Sequence, residues 1–351
     1  PSRALRERFW AAIFAELAHV RKRHGPLSFD TLYLGGGTPS SLSISELDRL
    51  TESIHQAFKF REGYECTCEF NPGDGDEAKL KALHGLGVNR VSLGCQSFRD
   101  GILQRLGRRH TVGDIKETVV KIRDAGITNI SFDLMLRLPG QTGEDFRDSV
   151  EKCVERGASQ VSLYELEVHE GTPFGRFQKE GKLDLPSEED HARMYESAIE
   201  ILTGAGYEHY EISNFAKPGF ASRHNLLYWH NQEYLGLGPG AFSYLNGIRS
   251  QLAPDLESYL ARCEAGDWKN AVEDNLSDAE KETETFVMGL RLREGVTPGD
   301  FPKIYPQLKD RVHSLIKDGF LETRGDNLRL TPRGQFLSED VFGSLLDQAG
   351  K

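Results

Sequence analysis

Polar side chains recur at the ends of short apolar, β-rich runs in the first half of the chain. The run at 29–34 passes into Gly35-Gly36-Gly37-Thr38-Pro39, and the run at 64–70 carries Glu69 and ends in Asn71-Pro72. The run at 88–93 leads into Cys95-Gln96-Ser97-Phe98, with Arg108 and His110 soon after, and the run at 128–136 holds Asp133 among apolar neighbours. The chemistry available is that of binding. Three glycines let backbone N–H and C=O groups approach a ligand that a β-carbon would block. Arg108 can pair a carboxylate bidentately, and Glu69 and Asp133 can accept from hydroxyls or an ammonium. A carboxylate in an apolar strand is costly without a partner, so Asp133 needs either an internal pair with an arginine or a ligand contact. Singly, each feature also fits plain structure: a tight turn at the glycines, capped strand ends at Glu69 and Gln96. Together, four strand ends that each offer a polar group specify one shared site for a polar, zwitterionic or hydroxyl-rich ligand. No residue is assigned a catalytic role, and none a metal.

The elements that position these residues alternate regularly. Helical patterns at 4–20, 43–58, 77–86, onward to 123, 144–156 and 188–205 interleave with strands at 29–34, 64–70, 88–93, 128–136 and 160–166. Strand–helix alternation at this interval predicts parallel βαβ units, closed into a barrel or partial barrel rather than an open doubly wound sheet. In such a barrel, ligands bind at the carboxyl ends of the strands. After about Lys217 the pattern changes, and glycines and aromatics crowd 228–244. The remainder reads as helices with one small hairpin. Near the end, a helix at 307–317, a turn at Gly325-Asp326-Asn327 and an N-cap followed by proline at Thr331-Pro332 predict a winged-helix-like arrangement. Its 307–345 segment has six basic and six acidic residues, which favours packing over nucleic-acid binding. Two domains are expected, 1–217 and 218–351.

Bulk properties exclude several classes. The 351 residues carry a formal net charge of −11, against broad binding to nucleic acids or anionic membranes. No apolar run approaches the ~20 residues of a membrane span, and no signal peptide is visible. The cysteines (Cys66, Cys68, Cys95, Cys153 and Cys263) form no disulfide framework and suit a reducing cytoplasm. If Glu69 and Gln96 point into the barrel, strand alternation turns Cys66, Cys68 and Cys95 away from it, as small buried hydrophobes.

The ordered set Leu34-Gly35-Gly36-Gly37-Thr38-Pro39-Ser40, Glu69-Phe70-Asn71-Pro72-Gly73, Gly94-Cys95-Gln96-Ser97-Phe98, Leu106-Gly107-Arg108-Arg109-His110, Asp133-Leu134-Met135 and Leu138-Pro139-Gly140-Gln141-Thr142 resembles the radical-SAM proteins related to oxygen-independent coproporphyrinogen III oxidase. His224-Asn225-Leu226-Leu227-Tyr228-Trp229 resembles the HNxxYW signature of its heme chaperone (HemW-type) branch. Gly236-Leu237-Gly238-Pro239-Gly240-Ala241 and Leu330-Thr331-Pro332-Arg333-Gly334 fit the same branch. The resemblance implies an α/β fold: a partial TIM-type (β/α)6 radical-SAM barrel lacking its first strand, plus a small, mainly helical C-terminal domain with a winged-helix-like end.

It also implies roles. Gly36, Gly37 and Thr38 match the segment that contacts the methionine portion of S-adenosylmethionine (SAM). Glu69, Gln96, Arg108 and Asp133 match positions that hold SAM, and Tyr164 lines the same pocket. His224 is the implied axial ligand of heme iron, with Tyr228 and Trp229 stacking on the porphyrin. The alternative is that His224 and Asn225 cap a turn while the aromatics are core. Phe242 stands where relatives commonly carry a histidine, and His230 compensates only if its loop folds suitably. Family chemistry needs a [4Fe–4S] cluster on a CxxxCxxC motif, and no three cysteines here have that spacing. The motif is therefore expected before Pro1, in a truncated sequence, and this chain alone is expected not to cleave SAM. The implied function is a heme chaperone that passes heme to recipient proteins, membrane-associated respiratory ones among them. The alternatives are a coproporphyrinogen III oxidase and a non-catalytic SAM- or heme-binding module.

Overall fold

The computed structural model describes residues 2–349. Its main sheet has seven strands in the order β1-β2-β3-β4-β5-β7-β6. They are β1 (Ser28–Leu34), β2 (Lys59–Phe70), β3 (Arg90–Gln96), β4 (Asn129–Leu136), β5 (Gln160–Glu165), β6 (Glu208–Glu211) and β7 (Asn214–Ala216). From β2 to β5 the pairing is parallel. Val91, Leu93, Ile130, Phe132, Leu134 and Val161 are almost wholly buried, as befits parallel strands covered by helices.

The helices between the strands start and stop on local signals. Thr111 and Thr142 each form a capping box with the aspartate three residues on, opening Val112–Asp124 and Gly143–Glu155. Asp76 and Ser187 cap Glu77–Gly85 and Glu188–Gly204. Glycines in the left-handed region follow the helix ends, among them Gly126 at φ 96° and Gly157 at φ 65°.

The end of the sheet departs from the expected simple alternation. β7 pairs antiparallel with both β5 and β6, so a short hairpin fills the place of the next parallel strand. Its strands of four and three residues are too brief to leave a readable period in the sequence.

The chain packs as two compact units. One comprises Leu32–Leu47 and Glu65–Ser222; the other comprises the residues up to Thr31, Asp48–Tyr64, and those from Arg223 onward. In the second unit, helix Arg3–His24 packs on helix Leu256–Ala265. The buried Glu16 accepts hydrogen bonds from Gly238 N (2.9 Å) and Tyr259 Oη (2.7 Å). Burial raises the pKa of its carboxyl group.

This unit also holds a three-stranded antiparallel sheet: β8 (Phe242–Leu245), β9 (Ile248–Gln251) and β10 (Val272–Asn275). The sequence pattern predicts only one hairpin after Lys217. The signal for the extra strands is Asn246-Gly247, both at positive φ (54° and 74°), the residue pair that two-residue hairpin turns demand. The expected C-terminal arrangement is present: helix Tyr305–Lys317, the hairpin β11 (Leu321–Arg324) and β12 (Asn327–Leu330), then helices Pro332–Phe336 and Ser338–Ala349. Thr331 caps the first of these, accepting from Gly334 N at 3.0 Å.

Candidate functional site

The first unit gathers its polar residues at the carboxyl ends of the parallel strands. Glu69, next to last in β2, accepts from Tyr33 Oη at 3.0 Å and from Gly36 N at 3.1 Å. The glycine segment is thus anchored through its own backbone. A β-carbon on Gly35 would lie 2.6 Å from the Tyr33 ring and 2.8 Å from Glu69 Oε1, so this position must be glycine. Gly36 adopts φ 85°. Beyond the glycines, Ser40 Oγ donates to Asp74 Oδ2 at 2.7 Å, and the Asn71 amide donates to the same oxygen at 3.2 Å. The first bond ties the loop after β1 to the loop after β2, and the second braces the latter.

Among the described residues, Asp133 has no arginine hydrogen-bonded to its carboxylate. Ser92 Oγ donates to Oδ2 at 2.8 Å, and Ser131 Oγ lies 3.5 Å from Oδ1. Burial raises its pKa to about 6, opposed by the hydroxyls of Ser92 and Ser162 and by the charge of the buried Arg90. The parallel register explains the cluster. It aligns Glu69 with Ser92, Ser92 with Ser131, Ser131 with Gln160, and Asp133 with Ser162. Directly paired residues share a face of a sheet, so one polar row faces the barrel interior. Tyr164 follows Ser162 on that face of β5. It is 45% exposed.

Gln96 ends β3 at φ 64°, a left-handed backbone that a non-glycine residue rarely adopts, where the register against β4 shifts. Its amide lies against Gly94, where a β-carbon would sit 3.0 Å from Nε2. Arg108 follows helix Asp100–Arg105. Among the described residues its guanidinium has no carboxylate partner, and burial lowers its pKa. His110 is buried with Nε2 3.3 Å from Cys95 O, which makes it a packing residue. Sequence reasoning missed Tyr33, Ser92, Ser131 and Ser162. Alternation with Gln96 and Asp133 would have found two of them, since Ser92 and Ser131 lie four and two residues away on the same faces.

The five cysteines are all free and buried. Desolvation raises Cys66 and Cys68 to about 12 and Cys263 to about 11, and holds Cys95 and Cys153 well above the usual thiol value. Thiols so raised are poor sources of thiolate. Among the described residues no group of three or more His, Cys, Asp and Glu side chains is placed to hold a metal ion.

His224, Tyr228 and Trp229 lie in the second unit, on helix Arg223–Trp229. His224 Nδ1 is 2.8 Å from Thr31 Oγ1, and Nε2 is 3.1 Å from Tyr228 Oη. The two rings meet edge to face at 5.1 Å, and Tyr228 in turn meets Tyr234 at 4.7 Å. Trp229 is covered by the Arg291 guanidinium, 4.3 Å from its ring. His230 is exposed at the helix end, and Phe242 is 41% exposed. Beside His224 opens a cavity of about 420 Å³, within the usual range of small-molecule sites. Thr31, His224 and Leu227 line it, together with Phe29, Tyr234 and Tyr244; Tyr228 and Trp229 do not.

Residues 3–153 match the Radical SAM superfamily and residues 276–337 the HemN C-terminal domain. Over 324 residues the chain is 39% identical to the heme chaperone HemW of Lactococcus lactis, covering 90% of this chain and 84% of that protein. The chain belongs to the HemW family of heme chaperones. Its identity to the Bacillus subtilis member is 34%, over 96% of this chain and 90% of that protein. Its fold is that of the Escherichia coli coproporphyrinogen III oxidase HemN, a radical-SAM enzyme, with a TM-score of 0.84. That match covers 98% of this chain and 84% of HemN at 21% identity. The HemW motif residues and the radical-SAM strand ends therefore belong to different units of one family fold.

Proposed function

We propose that this protein binds heme through the helix Arg223–Trp229 and passes it to recipient proteins, and that its α/β unit binds SAM. The observation that carries the heme reading is His224: an imidazole held by Thr31 at the wall of a 420 Å³ aromatic-lined cavity. The chain is 34–39% identical to named heme chaperones. Imidazole is a common axial ligand of heme iron. To serve as an iron ligand, Nε2 would have to give up its contact with the Tyr228 hydroxyl.

The residues of the first unit fit SAM. Arg108, desolvated and without a carboxylate partner among the described residues, suits the methionine carboxylate, and Glu69 and Asp133 suit the ammonium and ribose hydroxyls. The Gly36-Gly37-Thr38 backbone, Gln96 and Tyr164 border the same strand ends. In this superfamily SAM supplies radical chemistry when a reduced [4Fe–4S] cluster is bound. The described residues do not fit that cluster, because their thiols are buried and dispersed, so no step of that chemistry runs through them. The acidic chain and its free thiols suit the cytoplasm. No described helix is long and apolar enough to cross a membrane. Recipient proteins, whether cytoplasmic or membrane-associated, are the expected partners.

The test presents the purified protein with ferric heme, read from the Soret band, and separately with labelled SAM in equilibrium dialysis. A stoichiometric Soret complex together with SAM binding is expected. SAM binding without a heme complex would remove the heme reading and leave a SAM-binding module.

A further inference from the structure

The cavity beside His224 has a charged residue at its wall that the heme reading has not used. Lys281 projects from helix Asp278–Gly289, and among the described residues its ammonium makes no ion pair or hydrogen bond. The side chain lies across the turn of the β8–β9 hairpin. A β-carbon on Gly247 would collide with Lys281 Nζ, so the glycine leaves the space the ammonium occupies. The acidic residues of the same wall are already engaged. Asp30 is paired with Arg61 at 3.2 Å, while Glu233 accepts from the backbone N of Asn246 and keeps its charge at the wall. The cavity therefore combines one imidazole, the rings of Phe29, Tyr234 and Tyr244, one carboxylate held by a backbone amide, and one cation outside any ion pair of the described residues. That set is complementary to a flat aromatic ligand carrying a carboxylate.

We propose that Lys281 is the carboxylate-recognition residue of this cavity and pairs with a propionate of the bound porphyrin. This rests on the heme reading above. An ammonium acts as a point charge at a carboxylate, and arginine can replace its charge at the same position. One charge-assisted hydrogen bond is worth about tenfold in affinity.

The experiment titrates the full chain and its variants with ferric heme and with heme dimethyl ester, whose propionates are uncharged, following the Soret band. The wild type should bind heme about tenfold more tightly than the ester. Lys281→Met should lower heme affinity to that of the ester and leave the ester unchanged, while Lys281→Arg restores the preference. Equal affinities of the wild type for the two ligands, or a preference that survives in Lys281→Met, overturn the proposal while leaving heme binding intact. A parallel loss of both ligands in a Lys281→Met protein that keeps the wild-type circular dichroism also overturns it, because the residue then supports binding of either ligand and does not read the propionate. If the wild type forms no Soret complex at all, the heme reading itself falls and this proposal with it.

Discussion

Replacing Asp133 by asparagine should make the protein more stable at neutral pH while removing a SAM contact. The carboxyl group is held at a pKa of about 6 against an ordinary 3.8, chiefly by burial. A difference of that size between the folded and unfolded chain corresponds to about 3 kcal/mol. Because the folded protein holds this proton more tightly than the unfolded chain, stability falls as pH rises from about 4 to about 6 and stays lower above that. Asparagine removes the charge. Its carbonyl can still accept from Ser92 and its amide can reach Ser131, so the two serine contacts at 2.8 and 3.5 Å need not be lost. Allowing for imperfect geometry, Asp133→Asn should gain about 2 kcal/mol at pH 8 and nothing below pH 4. Urea unfolding followed by circular dichroism at pH 4 and pH 8 measures the difference, and comparing the two proteins cancels the other acidic groups. Equilibrium dialysis with labelled SAM should show weakened binding by the same variant. The reasoning is refuted if Asp133→Asn is less stable than the wild type at pH 8, or if the gap between them does not change with pH.

Substitutions at three further positions test other hydrogen bonds and backbone constraints of the fold. Glu69→Ala removes the acceptor of the exposed Gly36 amide and one contact of the Tyr33 hydroxyl, which should cost about 1 kcal/mol in urea melts and weaken SAM binding. Glu16→Ala strands Gly238 N and Tyr259 Oη and should cost about 3 kcal/mol, whereas Glu16→Gln, which keeps an acceptor, should cost about 1 kcal/mol or less. Arg137, after β4, is a non-glycine residue at φ 59° whose guanidinium pairs with Glu165 at 2.6 Å and with Glu188. Both Arg137→Ala and Arg137→Gly lose those pairs, but only alanine keeps the β-carbon, so the glycine variant should be more stable than the alanine variant by about 1 kcal/mol in the same melts.

What the sequence disclosed about the site follows from how locally each signal is encoded. Glycines after β1, a carboxylate inside an apolar run and a glutamine after β3 are each visible within a few residues, and the βαβ alternation says which end of the sheet they occupy. The fate of the cysteines was legible for the same reason: Cys66 and Cys68 alternate with Glu69 and are buried on the other side of β2. Alternation puts Ser92 and Ser131 on the faces of Gln96 and Asp133, but that they join Asp133 in one hydrogen-bonded row was not legible, because the row exists only once the parallel register joins segments about forty residues apart, as in Ser92 and Asp133. The support of His224 by Thr31 spans 193 residues and has no local trace. The second sheet escapes notice although Asn246-Gly247 announces its turn, because its short strands alternate too weakly to stand out. The short hairpin of β6 and β7 left no comparable sign. The family motif brought His224, Tyr228 and Trp229 forward together, but the fold treats them differently. Only His224 faces the cavity, while Tyr228 is its hydrogen-bonding neighbour and Trp229 lies under Arg291.

The most direct test of the account is a heme titration of the wild type, His224→Ala and Arg108→Ala side by side, read from the Soret band. A heme complex in the wild type and in Arg108→Ala, with the band shifted and the affinity reduced at least tenfold in His224→Ala, is the predicted result. An unchanged Soret complex in His224→Ala, or equal loss in Arg108→Ala, would contradict the assignment of heme to the helix Arg223–Trp229.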